Sequence, residues 1–344
     1  MRYRDAGVDI AAAEEIRRAL GSAVRSTWGA GVRPLEGGFA GVMEFPGTPD
    51  GTGRLLAATM DGVGTKLHLA LAAGRAGAAA ADLVYHGAND LLAHGARPLA
   101  FLDYVAQARL DPAVVLAIVE GLAGACRKIG AALLGGETAE MPDTYLPGVV
   151  DVAGCMLGTV GAAGVLDGRA VAPGDVVLGL GSDGLHTNGF SLARRVLAAS
   201  GLTLDDPLPG GGGDSVGAAL LAPHRWYGRA VLPAIESGRV HGAAHVTGGG
   251  IAGNLARVLP AGCRARVRAS AWPRPPLFEW LIAAGEIPEE DARRALNLGI
   301  GLALVCAPAA VPALTTEFAA AGERVHAIGS IVTGERGVDW VEAA

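Results

Sequence analysis

Lysine is nearly missing from this 344-residue sequence: among its 28 lysines and arginines, only Lys66 and Lys128 are lysine. Wherever a solvated positive charge suffices the chain uses arginine, so a lysine kept inside a glycine turn, as Lys66 is, points to a use for its compact ammonium head. Cysteine is scarce too. Cys126, Cys155, Cys263 and Cys306 lie far apart and form no Cys-x-x-Cys pair. That excludes a zinc ribbon or a dithiol redox motif and leaves small buried hydrophobes of a reducing compartment. Basic runs are absent, and a net charge of −6 with a pI near 5.8 excludes a broad nucleic-acid surface. The longest uncharged apolar stretch, Leu296 to Thr316, is interrupted by Asn297, glycines, Pro308 and Pro312, so it reads as a buried strand and turn and not as a membrane span. No apolar signal-peptide core follows the charged opening MRYRDAGVDI, and the expectation is a cytoplasmic protein with no membrane contact. Missing as well are a steady βαβ rhythm, a GxxxxGK[ST] P-loop, a kinase catalytic loop and any fixed-period repeat. Whatever holds phosphate here does so on another frame.

What is present is apolar residues and glycine. Hydrophobic residues make up 51% and charged residues 18%, a globular composition, and the length suffices for about two domains. The chain is organised around TMDGVGTK, Thr59 to Lys66. The apolar run Leu55 to Ala58 reads as a buried strand opening into a turn at Asp61, Gly62, Gly64 and Thr65. Glycines there let the main chain take positive φ and approach a ligand closely. Consecutive N–H groups can form an anion nest, while Asp61 can hold a divalent cation and Lys66 can pair with phosphate. The competing reading is a plain strand-end turn with a solvent-facing lysine.

Along the chain, Ala11 to Arg25 has helical propensity, and Gly37 and Gly38 form a second glycine turn that either covers a ligand or merely reverses the chain. Helical periodicity resumes at Leu67 to Leu71 and from Ala78 into GANDLLAHGA, where Asn89 and Asp90 precede an apolar pair. Pro98 to Ala106 reads as a strand, and Asp111-Pro112 opens a helix running to about Ile129. Ala131 to Leu134 reads as a short buried strand delivering Gly135, Gly136 and Glu137, and Val149 to Val160 as another strand. Charge, glycine and proline cluster at Asp167 to Pro173, which places a domain boundary there, giving domains 1–168 and 169–344. In the second half the strand Val176 to Leu180 leads into GSDGLHTNGFSL and the helix Ser191 to Ser200. A disordered-looking loop (Pro209 to Gly217), a helix (Tyr227 to Ser237) and the strand-to-helix turn HVTGGGIAGN follow. The strands Asn297 to Cys306 and Val325 to Val332 flank a helix, Val311 to Ala321. His186 and His245 lie in turns beside Thr187 and Thr247, where an imidazole can shuttle a proton or hold a phosphate, and both are assigned a functional role. His68, His224, His241 and His326 are assigned to surface or core.

As a set, YRDAGVDI, EGGFAG, DGVGTK, NDLLAHGARPLAFLDY, LLGGETAEMP, GSDGLHTNG, HVTGGG and NLGIG resemble, in order and over nearly the whole chain, the phosphoribosylformylglycinamidine cyclo-ligase (AIR synthetase) family of purine biosynthesis. Met60, His86, His94 and Leu298 depart from that pattern. The resemblance implies two mixed α/β domains, with the amino-terminal strands of two subunits joined in a shared barrel, hence a homodimer. It also implies ATP and Mg2+ as cofactors and formylglycinamidine ribonucleotide (FGAM) as substrate. The implied reaction transfers the γ-phosphoryl group to the formamide oxygen, lets the amidine nitrogen attack, and releases aminoimidazole ribonucleotide (AIR), ADP and phosphate. Catalysis would be mostly positioning and charge neutralisation. Asp61, Asp90 and Glu137 are the implied Mg2+ ligands, N-capping being the alternative, above all for Asp90 after Asn89. ATP would meet Asp61, Gly62, Gly64, Thr65, Lys66, Asn89, Asp90, Gly135, Gly136 and Glu137. Gly37, Gly38, Asn188, Thr247, Gly248, Gly249 and Gly250 would meet the substrate, the last residues through its ribose phosphate. Lys66, His186 and His245 carry the expected catalytic roles. The rivals are another ATP-using member of the superfamily (FGAM synthetase, selenophosphate synthetase, thiamine-monophosphate kinase, the hydrogenase-maturation dehydratase) and a non-catalytic nucleotide-binding paralogue.

Overall fold

The computed structural model describes residues 20, 23–35, 37–44 and 53–342. The YRDAGVDI opening, most of the expected helix Ala11 to Arg25, and Glu36 lie outside the described residues. In chain order the first half contains β1 (Val32–Arg33), β2 (Gly41–Glu44), β3 (Arg54–Gly62), α1 (Lys66–Ala72), α2 (Ala76–Leu92), β4 (Arg97–Gln107), α3 (Pro112–Ile129), β5 (Ala132–Glu140) and β6 (Val150–Gly161). Its strands form one six-stranded sheet in the order β1-β2-β3-β6-β4-β5, antiparallel throughout except for the parallel pair β4–β5.

Local chemistry explains these elements. Asp111 caps α3 by accepting from the Ala113 and Val114 N–H groups, with Pro112 in the first turn and Gly130 in the left-handed conformation closing the end. Helix α2 lies on β3 and β6 and packs against α3. The approach is close because of glycine: a Cβ on Gly87 would stand 2.9 Å from the Met156 Cβ, and one on Gly121 would collide with the Gly77 backbone. Leu83, Leu91 and Leu92 of α2 are fully buried beneath it, each contributing about 1.5–3 kcal/mol. One expectation and one alternative are corrected here. Ala131 to Leu134 does not form a buried strand but begins the exposed edge strand β5, where Leu134 is 66% exposed. Asn89 and Asp90 do not start a helix; they lie near the end of α2, so Asp90 is no N-cap.

The second half contains β7 (Val176–Gly181), α4 (Phe190–Ser200), α5 (Val216–Leu220), α6 (Gly228–Glu236), β8 (Gly242–His245), α7 (Gly250–Leu255), β9 (Cys263–Arg268), α8 (Pro276–Gly285), α9 (Glu289–Ala295), β10 (Ile300–Cys306), α10 (Val311–Ala320), β11 (Val325–Thr333) and β12 (Gly337–Val341). Its sheet runs β12-β9-β11-β7-β10-β8. Strand β10 sits between two neighbours and is buried along its whole length, which accounts for the uninterrupted apolar run there. The stretch Pro209 to Gly217 is no disordered loop: it is a set of turns closed by a Pro207–Ser215 bridge and by the Leu208 N–H donating to the Asp214 carbonyl.

Helix α2 also packs against α6 and β8, so the two halves meet along one of its faces. Side chains stitch that seam. Asn89 donates to the Arg225 carbonyl at 2.8 Å and accepts from the Tyr227 N–H, the Thr65 and Ser191 hydroxyls bond at 3.0 Å, and Arg257 donates to the Gly37 and Gly38 carbonyls while lying 3.7 Å from the Phe39 ring.

Candidate active site at the seam

Strand β3 carries Asp61 to the edge of this seam, and α2 places His86 and Asp90 on one face because they stand four residues, about one turn, apart. The second half supplies the opposing wall. His245 ends β8, while His186 and Thr187 come from the turn before α4 and His224 from the stretch before α6. Half of the eight histidines of the chain therefore gather in one place.

The contacts are specific. Asp90 Oδ1 accepts from His245 Nδ1 at 2.8 Å, joining the halves, and its other oxygen accepts from the Thr59 hydroxyl and lies 3.7 Å from His86 Nε2. His86 Nε2 is 2.9 Å from Asp61 Oδ2, and His86 Nδ1 is 2.6 Å from the Thr187 hydroxyl. The Gly62 N–H donates to Asp61 Oδ1. With the Nδ1 proton of His245 on Asp90, its Nε2 accepts from His224 Nε2 at 3.1 Å. His186 stacks on His224 with ring centroids 4.0 Å apart. His186 Nδ1 and His224 Nδ1 are buried without a hydrogen-bond partner among the described residues.

These surroundings set the charges. Burial pulls the His86 imidazole down, but Asp90 and Asp61 overcome it and raise its pKa to about 9. Burial pushes the Asp61 carboxyl up, yet the hydrogen bond to His86 and the Gly62 N–H hold it below the ordinary carboxylate value. His186 and His224 are driven well below the ordinary imidazole value, by burial first and by neighbouring imidazoles second. Burial also lowers His245, with Asp90 opposing. At neutral pH the cluster thus holds one imidazolium between two carboxylates, backed by three neutral rings.

Not every expected residue faces this centre. Lys66 is 1% exposed, and its ammonium donates to Asp82 Oδ2 at 2.5 Å, the His186 carbonyl at 2.9 Å and the Ala222 carbonyl at 3.2 Å. Three donors meet three acceptors, so the reading of Lys66 as a phosphate contact is corrected: it is a buried strut that pins the His186 turn. Asn89 is likewise fully buried and bonded to backbone groups of the second half, away from any nucleotide in the open site. His186 is in the cluster, but no hydrogen bond among the described residues joins it to Asp61 or Asp90. Gly135, Gly136 and Glu137 lie on edge strand β5, apart from Asp61: β3 and β5 are separated by β6 and β4, which at about 4.8 Å per strand is on the order of 14 Å. The proposed nest is smaller than expected, with Gly64 alone taking positive φ in the Gly62–Thr65 turn.

Around the rim, Gly249 and Gly250 take positive φ at the start of α7, and Asn254 holds the Thr247, Gly248 and Gly250 carbonyls. The Asn188 amide lies beside Gly248. The Gly37–Gly38 turn is held from the other side by Arg257. Sequence reasoning gives His86 no role and leaves His224 to surface or core; the one available signal is that His86 stands four residues before Asp90.

Comparison with known proteins matches residues 37–160 to the AIR synthase related protein, N-terminal domain, and residues 172–342 to the AIR synthase related protein, C-terminal domain. The chloroplastic phosphoribosylformylglycinamidine cyclo-ligase of Arabidopsis thaliana is 43% identical over 335 residues, covering 97% of this chain and 82% of that protein. The chloroplastic/mitochondrial one of Vigna unguiculata is 43% identical over 334 residues with the same coverage. Among solved structures, tt0281 from Thermus thermophilus superposes with a TM-score of 0.65 at 25% identity, over 94% of this chain and 95% of that one. No helix among the described residues is long and apolar enough to cross a membrane. The two matched domains and the identity along almost the whole chain make this protein a member of the AIR synthase related, phosphoribosylformylglycinamidine cyclo-ligase family.

Proposed function

We propose that the chain is an ATP-dependent cyclo-ligase that closes the imidazole ring of FGAM to give AIR, ADP and phosphate. The observation that carries this reading is the Asp90–His245 bond, which ties an acid of the first half to an imidazole of the second beside Asp61. An amide oxygen leaves poorly until it is phosphorylated, so the site must hold a triphosphate, neutralise its charge, and move a proton as the amidine nitrogen attacks. Asp61 Oδ2 and Asp90 Oδ2 fit a divalent cation, Mg2+ in the first instance: they are oxygen donors, close together, and Asp61 is half-exposed. Bound there, the cation would offset charge on the phosphates. Asp90, His245 and His224 form a proton path leading inward from the cation site.

The turn at Gly64 and Thr65, just past Gly62, presents backbone N–H groups to the nucleotide. Asn188, Thr247 and the run Gly248 to Gly250 face the substrate phosphate, with Gly37 and Gly38 closing over it. The exposed edge β5, carrying Gly135, Gly136 and Glu137, is where a second copy would pair to extend the sheet into a shared barrel, so the working form is a homodimer, with Glu137 at the contact. Domains 1–168 and 169–344 and a cytoplasmic location complete the reading, the four cysteines being free thiols.

The test is incubation of the purified protein with FGAM, ATP and Mg2+. AIR and ADP in equal amounts support the reading; ADP with a phosphorylated, unclosed product assigns the chain to the phosphotransfer branch of the superfamily, and nucleotide binding without turnover makes it a non-catalytic paralogue.

A further inference from the structure

We propose that Asp61, His86 and Asp90 form a one-nitrogen, two-carboxylate cation site whose imidazole makes it hold Mn2+ or Co2+ more tightly than Mg2+. The inference rests on the reading of Asp61 and Asp90 as cation ligands and adds a third ligand with a different preference. One donor atom from each residue lies within 4.8 Å of the others. These are Asp61 Oδ2, His86 Nε2 and Asp90 Oδ2, with His86 Nε2 at 2.9 Å from the first and 3.7 Å from the last.

What marks them as ligands is the state of their other atoms. Asp61 Oδ1 is held by the Gly62 N–H, Asp90 Oδ1 by His245 Nδ1, and His86 Nδ1 by the Thr187 hydroxyl. Each residue therefore has one polar atom anchored away from the common point and one facing it, Asp90 Oδ2 there also accepting a long 3.3 Å bond from the Thr59 hydroxyl. That is the arrangement by which outer-shell partners fix the tautomer and orientation of metal ligands. With its Nδ1 proton on Thr187, His86 exposes an Nε2 lone pair to a cation once the Nε2 proton it shares with Asp61 is displaced, as metal binding displaces protons from its ligands. Mg2+ prefers oxygen ligands only, whereas Mn2+ and Co2+ accept imidazole nitrogen, and Co2+ gains more from it. His86 is 5% exposed and Asp61 is 49% exposed, so the nitrogen is fixed in the wall while the outer side stays open to phosphate oxygens and water.

The histidines His86, His224 and His245 also come within 4.8 Å of one another, but His224 Nε2 and His245 Nε2 are spent on each other at 3.1 Å. The anchoring favours the carboxylate set.

The experiment uses the metal-free full-length protein without nucleotide. Mn2+ binding is followed by electron paramagnetic resonance, Mg2+ affinity by competition, and ligation by the nitrogen modulation that a coordinated imidazole imposes on bound Mn2+. The wild type is expected to bind Mn2+ at least about tenfold more tightly than Mg2+ and to show that modulation. In His86→Ala the modulation should vanish and Mn2+ affinity fall by roughly 10–100-fold, as loss of even an outer-shell partner does, with Mg2+ affinity nearly kept. Asp61→Asn, at an exposed position where folding is safe, should weaken both cations. Mn2+ bound without nitrogen modulation, or equally well by His86→Ala, overturns the inference and leaves the carboxylate reading standing. Binding untouched by Asp61→Asn overturns both, since the cation would then sit among the histidines behind. Circular dichroism of each variant separates lost ligation from lost fold.

Discussion

The buried pair Lys66–Asp82 gives the sharpest test of how the seam is held. Lys66→Met keeps the bulk of the side chain but removes the ammonium that serves Asp82, His186 and Ala222. Asp82, 2% exposed at its side chain, then retains one hydrogen bond, from the His224 N–H, and no cation. Breaking a buried ion pair from one side costs about 3–5 kcal/mol, because the remaining charge is stranded. Two carbonyls also lose their donor, and the left-handed His186 turn loses its anchor. Removing the stranded charge as well, in Lys66→Met with Asp82→Asn, keeps an acceptor for the His224 N–H. It should recover most of the loss, leaving a deficit of about 1–2 kcal/mol for the unmade hydrogen bonds. Equilibrium urea unfolding measures this as a lowered midpoint for the single variant and a largely restored one for the double, with similar slopes. Nucleotide affinity, titrated well below the unfolding midpoint, should change far less than stability. A single variant with the wild-type midpoint and a lost nucleotide affinity would refute the argument and return Lys66 to the phosphate.

Three further outcomes follow from the same geometry. Asp61→Asn should abolish ATP turnover while leaving the protein folded, at a stability cost of about 1–2 kcal/mol for its share of the His86 ion pair; near-normal turnover in a steady-state assay would remove it from the cation site. His245→Ala should lower kcat by about 10²–10⁴-fold with little effect on nucleotide affinity, and His245→Asn, which can still donate to Asp90, should restore stability but not rate; a pure binding defect would reassign His245 to the substrate pocket. The metal-free protein should be most stable near pH 6.5–7. His86 has a folded pKa of about 9 against an ordinary 6.5, so its contribution, about 3 kcal/mol, is complete below 6.5 and fades as pH rises toward 9. The depressed His186, His224 and His245 act in the opposite sense, costing stability as pH falls below 6.5. Thermal melts across this range check both limbs, and His86→Gln should flatten the alkaline one alone.

What the sequence can and cannot disclose follows from the range of the interactions. The cap at Asp111 and a glycine turn after the strand are legible because propensity and capping act within a few residues, although β3 runs on through Asp61 and Gly62 and the turn comes only at Gly64 and Thr65. Strand β10 is legible because a strand with neighbours on both sides needs an apolar run and nothing else. The same local logic offers for Asp90 an N-cap alternative that the structure removes. An Asn-Asp pair ahead of two leucines looks like a helix start, but α2 runs from Ala76 through Gly87, where the missing side chain lets it lie against Met156. Strand β5 shows the opposite failure, for apolar residues foretell burial, yet β5 is the exposed edge of its sheet. The partners of Lys66 stand 16, 120 and 156 residues away, and no periodicity connects positions so far apart. Scarcity is nonetheless informative. A chain that reaches for arginine at its surface keeps a lysine where a compact, three-donor cation has to be enclosed, since a planar guanidinium could not meet three converging acceptors in that space. The inference that Lys66 is special is sound, and the error lies in taking a phosphate for its partner when a carboxylate on the adjoining helix is available.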